Sequence, residues 1–409
     1  MKIFEYKPNL GGLSLGLERF PKNEVVEVAN LSKIASYSYN NTHKQWFLPN
    51  FSQIKDYETE KDYDLAILHP DMGENFQKRG KSNFRITDLV DCLRFLEYEK
   101  PKFAVITVKS DAIAMLNIAK GYVRDGFNQL SMDFVIDNLQ KLGYKAHLVA
   151  IDEASYGIPS HKYIAMYIAT PNDFELKFPK GLYTQYGRGK HNRYRTIANA
   201  IGDLGNMSEW SAYSTDPQNV YQRYIRRGMP KVTWHFRKGR VSDKQKDTIR
   251  QIRPGSNARK TEAVRQTAGY VRPKWDQICP QLDEKFYMVS SKGPSVHPQK
   301  NRPFTIREGM RIVGLPDNIS FELGTPNKDI ARLIVNSFSP TIGEALALAL
   351  KAIEWIWPYP LRKNFLDTAG EKHQKEDRVR RISLRGVPNR ARMCTLKHSS
   401  RSTVADGRS

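Results

Sequence analysis

The sequence predicts an α/β protein built on a doubly wound, parallel sheet. Short apolar segments alternate with amphipathic segments of helical period over residues 1–170. The central apolar segments, such as Leu65–Leu68, contain no polar residue. Strands that helices cover on both faces are apolar throughout, whereas strands with one wet face alternate between apolar and polar residues. We therefore expect parallel strands with helices on both sides.

Six strands and four helices follow in order along this part of the chain. Apolar runs bounded by turn residues predict strands at Lys2–Tyr6, Glu24–Ala29, Leu65–Leu68, 103–107, 146–151 and 163–169. Apolar residues three and four apart predict helices at 13–20, 34–39, 86–97 and 130–142. The last of these helices precedes Gly143, a residue type typical of helix C-caps.

The alternation of strands and helices stops between about residues 170 and 300. This segment is rich in Arg, Gly, Ser and Tyr and shows no clear period, which predicts an inserted, loop-rich second domain. Regular structure is expected again at 304–315 and in a long apolar helix at 340–357. From residue 371 the chain is charged and poor in apolar residues, which is typical of disorder.

Composition indicates a globular protein without a membrane partner. The 409 residues are 40% hydrophobic, and no apolar run reaches the length of about 18 residues that a membrane span requires. The N-terminus lacks the apolar core of a signal peptide. Cys92, Cys279 and Cys394 form neither a disulfide framework nor a CxxC metal site. We expect an intracellular protein, cytoplasmic or nucleoid-associated, with no bound metal.

The positive charge is concentrated in two segments. The net charge is +22, from 65 basic and 43 acidic residues. Residues 186–273 hold 19 Lys/Arg and 6 Asp/Glu, and residues 371–409 hold 11 and 4, so together they supply +20. Such segregation predicts a surface for a polyanion, most often nucleic acid. The alternative is a generally solvated basic surface.

Residues 301–321, NRPFTIREGMRIVGLPDNISF, carry the most specific local pattern. The segment closely resembles the ninth conserved motif of DNA cytosine-C5 methyltransferases, R-x-L-T-x-R-E-x-x-R-x-x-G-F-P-D. The matched residues are Arg302, Thr305, Arg307, Glu308, Arg311, Gly314, Pro316 and Asp317. A helix that only needed an apolar face would not require polar residues at this spacing.

Further segments resemble the same family in its order. Residues 9–17, NLGGLSLGL, resemble the glycine turn that holds S-adenosylmethionine, residues 142–169 resemble its LGY…YG-x-P-Q block, and residues 335–346 resemble its last motif. The resemblance implies a Rossmann-like methyltransferase sheet with an inserted, smaller target-recognition domain. The implied parts are 1–174 and 301–365 for the sheet domain, 175–300 for the basic target-recognition domain, and 366–409 for a basic tail.

The chemistry of the family needs a cysteine thiolate that adds to cytosine C6 and a carboxylic acid beside the ring, acting on a flipped base. Aligned on the strand Leu65–Leu68, the family's Pro-Cys pair falls on Asp71 and Met72, and residues 65–80 contain no cysteine. The acid position falls on Ile106. Cys92 is interpreted as a buried core residue of a helix. The sequence therefore offers no catalytic residue for this reaction.

The cofactor site is only partly retained. The acidic residue expected to hold the ribose falls on Leu31, and the motif's aromatic and first glycine fall on Lys7 and Asn9. S-adenosylmethionine binding thus remains open, and the glycine pair could simply form a tight strand-to-helix turn. The candidate cofactor residues implied by the resemblance are Gly11, Gly12, Asp64 and Asn336.

Basic residues with interleaved aromatics form the candidate DNA surface, because cations suit phosphates and Arg can read guanine edges. Trp234, within this cluster, is interpreted as core of the small domain. The candidate DNA-binding residues are Arg223, Arg226, Arg227, Lys231, Arg237, Lys238, Arg240, Arg302 and Arg307.

Three functions are compatible with these patterns. The leading hypothesis is a catalytically inactive relative of cytosine-C5 methyltransferases that binds double-stranded DNA, a partner protein, or both, in DNA modification such as restriction-modification. The second is a working S-adenosylmethionine-dependent methyltransferase with a divergent catalytic loop. The third is a protein-interaction subunit with no DNA role.

Overall fold

A six-stranded sheet organises the part of the chain that the structure describes. The computed structural model describes residues 1–71, 87–109, 132–205, 213, 215–227, 241–257, 270–289 and 293–350. The strands are β1 (Lys2–Tyr6), β2 (Glu24–Ala29), β3 (Leu65–Leu68), β4 (Phe103–Lys109), β5 (Lys145–Asp152) and β6 (Tyr163–Thr170). All six predicted strands are confirmed, with ends that agree within two residues.

The sheet is mixed rather than purely parallel. Its order is β2-β1-β3-β4-β6-β5, and β1 pairs in parallel with β2 and β3, as β3 does with β4. Strand β6 runs antiparallel to both β4 and β5, so the prediction of a parallel sheet is wrong at this strand. The connection from Asp152 to Tyr163 holds only a short 3₁₀ turn, which is too little for the helical crossover of a parallel pair. The sequence of β6 is nevertheless apolar, like that of a parallel strand, because β6 lies inside the sheet between β4 and β5 and all but its first residue are buried.

The helices of the sheet domain begin and end close to their predicted positions. They are α1 (Gly12–Glu18), α2 (Lys33–Asn40), α3 (Thr87–Glu99) and α4 (Met132–Lys141). Gly143 has a φ of 89°, and its N–H donates to the Gln140 carbonyl, which confirms the predicted C-cap.

The segment between 170 and 300 contains short elements in its described parts. They are β7 (Tyr183–Thr184), β8 (Asn192–Arg193), α5 (Ile197–Ile201), α6 (Val220–Ile225), α7 (Asp243–Gln251), β9 (Ser256–Asn257) and β10 (Val271–Arg272). Helix α7 is absent from the predicted elements because Ile249 is its one buried apolar residue. A capping box between Ser242 and Gln245 was the available signal.

Three helices follow in the last described part: α8 (Ile306–Ile312), α9 (Asn327–Asn336) and α10 (Pro340–Ala349). Helix α9 was not predicted, although Ile330, Leu333 and Ile334 have helical spacing and are buried. Helix α10 confirms the beginning of the predicted apolar helix, and residues 351–357 lie outside the described ranges.

Helices α1 and α10 pack closely enough to require glycine at the contact. A Cβ built on Gly343 would lie 2.0 Å from the Leu13 carbonyl oxygen, and one on Gly16 would lie 2.1 Å from that of Pro340. This contact joins the last described helix to the first. Among the described residues, no helix is both long and apolar enough to cross a membrane.

Candidate functional site

A buried carboxylate, Glu5, lies at the centre of the candidate site. It belongs to β1 and is 0% exposed. Its carboxylate accepts hydrogen bonds from the Ser14 hydroxyl and the Tyr39 hydroxyl, each at 2.6 Å, and its other oxygen lies 3.2 Å from His69 Nε2. A buried charge is tolerated only with such partners, so these contacts explain how Glu5 can stand inside an apolar strand.

The same contacts extend across three strand ends. His69 Nδ1 lies 2.7 Å from the Thr107 hydroxyl, and the Ser14 hydroxyl lies 3.1 Å from His43 Nε2. The His43 ring stacks on Tyr39 with ring centroids 3.6 Å apart. Burial, reinforced by the Glu5 carboxylate, raises the pKa of Tyr39 well above its ordinary value, so that hydroxyl remains a donor. We call Glu5, Ser14, Tyr39, His43, His69 and Thr107 the strand-end network.

A second carboxylate, Asp88, ties the glycine turn to the start of the loop after β3. Asp88 accepts from the Tyr6 hydroxyl at 2.7 Å, from Lys7 Nζ at 2.8 Å and from the Asp71 backbone N–H at 2.5 Å. Burial and the Asp88 carboxylate both raise the pKa of Tyr6. In parallel α/β sheets the carboxyl ends of strands carry ligands and chemistry, and these contacts lie there.

The glycine turn is packed against the chain's own atoms. Gly11 has a φ of 61°, and a Cβ built there would lie 2.5 Å from atoms of the Tyr39 and His43 rings. A Cβ on Gly12 would lie 1.8 Å from the Phe338 carbonyl oxygen. The required glycines are thus explained by internal packing, which favours the tight-turn interpretation over a cofactor cradle.

The structure brings Asn336 towards the glycine turn but not Asp64. Asn336 ends α9, and the hydroxyl of the next residue, Ser337, accepts from the Leu10 N–H at 3.2 Å. Asp64 lies before β3, where its side chain accepts from the Lys2 N–H at 2.9 Å. The glycine turn follows the carboxyl end of β1, whereas Asp64 precedes the amino end of β3. Because β1 and β3 are parallel, Asp64 lies about 13 Å of strand away from the turn. The prediction that Asp64 holds the cofactor is therefore wrong.

The positions aligned with catalytic residues carry apolar side chains where the structure describes them. Ile106 is 0% exposed in β4, between Leu68 of β3 and Tyr167 of β6. Met72 lies outside the described residues. Cys92 and Cys279 are both buried, and burial raises the pKa of each thiol; the Asp88 carboxylate also raises that of Cys92. A buried, protonated thiol is a poor nucleophile.

Part of the predicted DNA surface is exposed and part is not. Arg223 and Arg227 are exposed at α6. Arg226 is paired with the buried Asp203 and lies over the Tyr213 ring, 3.6 Å from its centroid, so it is not available to phosphates. Lys231, Arg237, Lys238, Arg240 and Trp234 lie outside the described residues.

Two further predicted DNA contacts are internal. Arg302 donates two hydrogen bonds to Glu308, at 2.8 and 2.6 Å. Burial alone would raise the pKa of Glu308, but Arg302 outweighs it and lowers the pKa to about 2. Arg307 is 1% exposed and donates to the Asp317 and Ile319 carbonyls. We therefore correct the assignment of Arg302 and Arg307 from DNA contacts to internal ion pairs.

Two further residues of the matched motif, Arg311 and Asp317, form a buried ion-pair cluster with Asp203. Arg311 is 0% exposed and donates to Asp317 through Nε at 3.0 Å and through a terminal nitrogen at 2.5 Å. Its other terminal nitrogen donates to Asp203, after α5, at 2.5 Å. The cluster thus joins α8 to the segment that follows β8.

The six-stranded sheet with its surrounding helices has the Rossmann-like fold of cytosine methyltransferases. Residues 120–352 match the family model of C-5 cytosine-specific DNA methylases, and the chain belongs to that family. It is 25% identical over 393 residues to the type II methyltransferase M.DdeI of Desulfomicrobium norvegicum, covering 87% of this chain and 89% of that protein. It is also 25% identical over 314 residues to DNA (cytosine-5)-methyltransferase 2 of Arabidopsis thaliana, covering 63% of this chain and 20% of the plant protein.

Two solved structures share the fold. A protein from an E. coli prophage, assigned as a DNA modification methyltransferase, has a TM-score of 0.62 at 15% identity and covers 86% of this chain and 99% of its own. The S. pombe Dnmt2 methyltransferase has a TM-score of 0.53 at 14% identity, with the same coverage.

The residues present do not fit the methyl donor that the family implies. The ribose of S-adenosylmethionine calls for a carboxylate after β2, whereas β2 is followed by Asn30 and by Leu31, which is 0% exposed, and neither is a carboxylate. Lys7, at the aromatic position of the turn, is held by Asp88. Tyr39, His43 and the Phe338 carbonyl pack closely against the glycine turn, so the turn does not fit this cofactor either.

The strand-end network was not predicted from the sequence. Glu5 and His69 were visible as polar residues in or directly after apolar strands, and that was the available signal. Ser14, Tyr39 and His43 had no signal, because the contacts of Ser14 and Tyr39 with Glu5, and of His43 with Ser14, depend on how α1 and α2 lie over the strand ends.

Proposed function

We propose that this chain is a DNA-binding member of the C-5 cytosine methylase family that does not transfer methyl groups. In this proposal it serves as a DNA-binding or regulatory subunit in DNA modification, and residues 175–300 form its DNA-reading region. The single observation that carries the proposal is Ile106. An acid that assists at the cytosine ring must lie at a strand end facing the base, and here that position holds a fully buried apolar side chain.

Three other features support loss of catalysis. No cysteine stands in residues 65–80, and a thioether such as that of Met72 has no ionisable proton with which to form the C6 adduct. The two described cysteines are buried. Leu31 replaces the carboxylate for the cofactor ribose. These losses are independent of one another, so a single error of alignment does not explain them together.

The second candidate is an active methyltransferase with a divergent loop. The similarity to a type II methyltransferase over 87% of this chain favours it, because most of both proteins is aligned. This candidate needs a reactive cysteine other than the family's, and Cys92, Cys279 and Cys394 are the three that the sequence contains.

One experiment distinguishes the two candidates. The purified full chain is incubated with radiolabelled S-adenosylmethionine and unmethylated genomic DNA, while anisotropy with a labelled duplex measures DNA binding in parallel. We expect salt-sensitive DNA binding and no methyl incorporation. Incorporation into cytosine that disappears in a Cys92→Ala, Cys279→Ala or Cys394→Ala variant would establish the active enzyme and overturn the proposal. A chain that neither binds DNA nor methylates it would overturn both candidates.

A further inference from the structure

A basic loop, residues 183–195, contains none of the candidate DNA-binding residues identified from the sequence. It contains Arg188, Lys190, Arg193 and Arg195 and no acidic residue. Arg188, Lys190 and Arg193 are exposed, and Tyr186 beside them is 63% exposed. The Arg188 guanidinium lies 5.4 Å from the centroid of the Tyr186 ring. Exposed cations suit the phosphates of a nucleic acid, and an exposed aromatic ring beside them can pack against its sugars.

The two ends of the basic loop are held in place by backbone hydrogen bonds. The Asn192 N–H donates to the Leu182 carbonyl at 2.8 Å, and the Tyr194 N–H donates to the Thr184 carbonyl at 2.9 Å. Gly187 and Gly189 have φ values of 58° and 65°, which allow the chain to turn tightly between these ends. The exposed cations therefore project from a loop with fixed ends.

Arg195 anchors the loop to the domain rather than facing solvent. Its guanidinium donates to the Gly157 carbonyl at 2.8 Å and to the Tyr183 hydroxyl at 2.7 Å. It also lies over the rings of Tyr183 and Tyr221, at 4.8 and 5.0 Å from their centroids. This residue fixes the base of the loop and leaves the other three cations for a ligand.

The loop adjoins the sheet edge that carries the candidate site. The Tyr194 ring meets the His161 ring edge-to-face at 5.3 Å, and His161 Nδ1 lies 2.6 Å from the carboxylate of Asp152 at the end of β5. The beginning of β6 pairs with Asp152 and, through Ile164, with Lys109 at the end of β4. Because β1, β3 and β4 are parallel, this is the edge at which the strand-end network lies.

We propose that the basic loop is a contact surface for duplex DNA. Arg188, Lys190 and Arg193 contact backbone phosphates, and Tyr186 packs against the nucleic acid between them. This inference rests on the proposed function that the chain binds DNA, and it assigns that binding a surface distinct from residues 221–240. The charge of the loop, with three exposed cations and no carboxylate, is complementary to the DNA backbone.

The test compares two matched charge-neutralising pairs in the full chain. Arg188→Gln/Lys190→Gln removes two loop cations, and both glycines stay. Lys141→Gln/Lys145→Gln removes two exposed lysines near the start of β5, about 23 Å of strand away from Asp152. Anisotropy with a labelled duplex of about 20 base pairs is measured from about 50 to 300 mM NaCl.

We expect the slope of log K against log salt to become shallower by about two for the loop pair, because each lost phosphate contact removes about 0.9. The control pair should keep the wild-type slope. Tyr186→Ala should weaken binding about fivefold while Tyr186→Phe retains it, because the ring and not the hydroxyl makes the contact. Thermal unfolding of each variant establishes that it is folded.

The outcomes separate this inference from the proposed function. If the wild type binds DNA with a steep salt slope and the loop pair matches the control pair, the basic loop is not a contact surface, and the proposed function stands. If the wild type does not bind duplex DNA at any of these salt concentrations, the proposed function fails and the inference fails with it.

Discussion

Arg311 shows how a residue that matches the motif can stabilise the fold instead of binding a ligand. Its guanidinium is fully buried between the carboxylates of Asp203 and Asp317. The two carboxylates raise its pKa against the opposing effect of burial, so the charge is retained. Removing one partner of a buried pair leaves the others uncompensated, and that is costly.

We predict that Arg311→Met destabilises the protein by about 3 kcal/mol or more, because Asp203 and Asp317 both lose the buried guanidinium that they share. The free energy of unfolding in urea measures the effect. Arg250→Ala is the matched control, since Arg250 forms an exposed pair with Asp247 at 3.0 Å, and it should change stability by less than about 0.5 kcal/mol. Equal effects of the two substitutions would contradict a buried ion-pair role.

His297, which precedes the motif in the chain and contacts its Glu308, is held neutral. Its Nδ1 accepts from the Gln299 and Lys300 backbone N–H groups, each at 3.1 Å, and its Nε2 lies 3.5 Å from Glu308. Burial lowers the pKa of His297 to about 4, although Glu308 opposes the shift. In the unfolded chain the pKa of His297 returns to about 6.5. Between these two pKa values the unfolded state binds a proton at His297 and the folded state does not.

We predict that stability falls as the pH decreases from about 7 to about 5, by about 2 kcal/mol from His297 alone. His297→Asn should flatten this part of the profile, because Asn can accept the two N–H groups without titrating. The exposed His191, changed to Asn, is the control and should leave the profile unchanged. Denaturant midpoints measured at several pH values test this, and an identical slope in the His297 variant would refute it.

At the scale of elements, the turn from β1 into α1 is rigid because two other segments close on it. Helix α2 brings Tyr39 and His43 against Gly11, and the segment after α9 brings the Phe338 carbonyl against Gly12. The close approach to Gly12 involves backbone, which cannot rotate aside as a side chain can. The turn therefore depends on glycine for packing whether or not a cofactor binds.

We predict that Gly12→Ala destabilises the protein by about 2 kcal/mol, because the new Cβ would overlap the Phe338 carbonyl oxygen. Gly143→Asn is the control: Gly143 has a positive φ but no heavy atom within 4 Å of a built Cβ, and Asn tolerates that conformation. Its expected cost is below about 1 kcal/mol. Thermal and urea unfolding measure both; an unaffected Gly12 variant would mean that the close packing is not maintained in solution.

At the scale of the whole molecule, the net charge of +22 and the residues around the glycine turn lead to opposite expectations for two ligands, DNA and S-adenosylmethionine. Positive charge favours DNA, whereas the residues around the glycine turn do not fit S-adenosylmethionine. A ligand that binds only the folded state stabilises that state by about 2.7 kcal/mol when its concentration is one hundred times its Kd. The two ligands can therefore be compared on the same protein by thermal unfolding.

We predict that duplex DNA raises the melting temperature at low salt and that S-adenosylmethionine at millimolar concentration leaves it unchanged. The DNA shift should shrink as salt increases, since phosphate contacts release counterions. A member of the family with demonstrated methyl transfer serves as the positive control for the cofactor. A saturable shift with S-adenosylmethionine would contradict our assignment of the glycine turn to internal packing.

The sequence was informative where a local pattern decides the structure. Strands such as Leu65–Leu68 and the C-cap at Gly143 depend on neighbouring residues, and they were predicted within two residues. The direction of β6 and the position of Asp64 were predicted wrongly, because both depend on how strands are ordered in the sheet. Arg302 and Arg307 were misassigned because a charged residue in a basic protein looks exposed until its partner is known.

The sequence by itself determined the family and the sheet elements, because each depends on which residue stands at which position. Only the tertiary structure decided that Ile106 is buried between two strands, that Glu5 joins three strand ends, and that the basic loop lies at the same sheet edge. These facts depend on contacts between residues far apart in the chain. Only the folded backbone brings such residues together, so no local sequence pattern can predict these contacts.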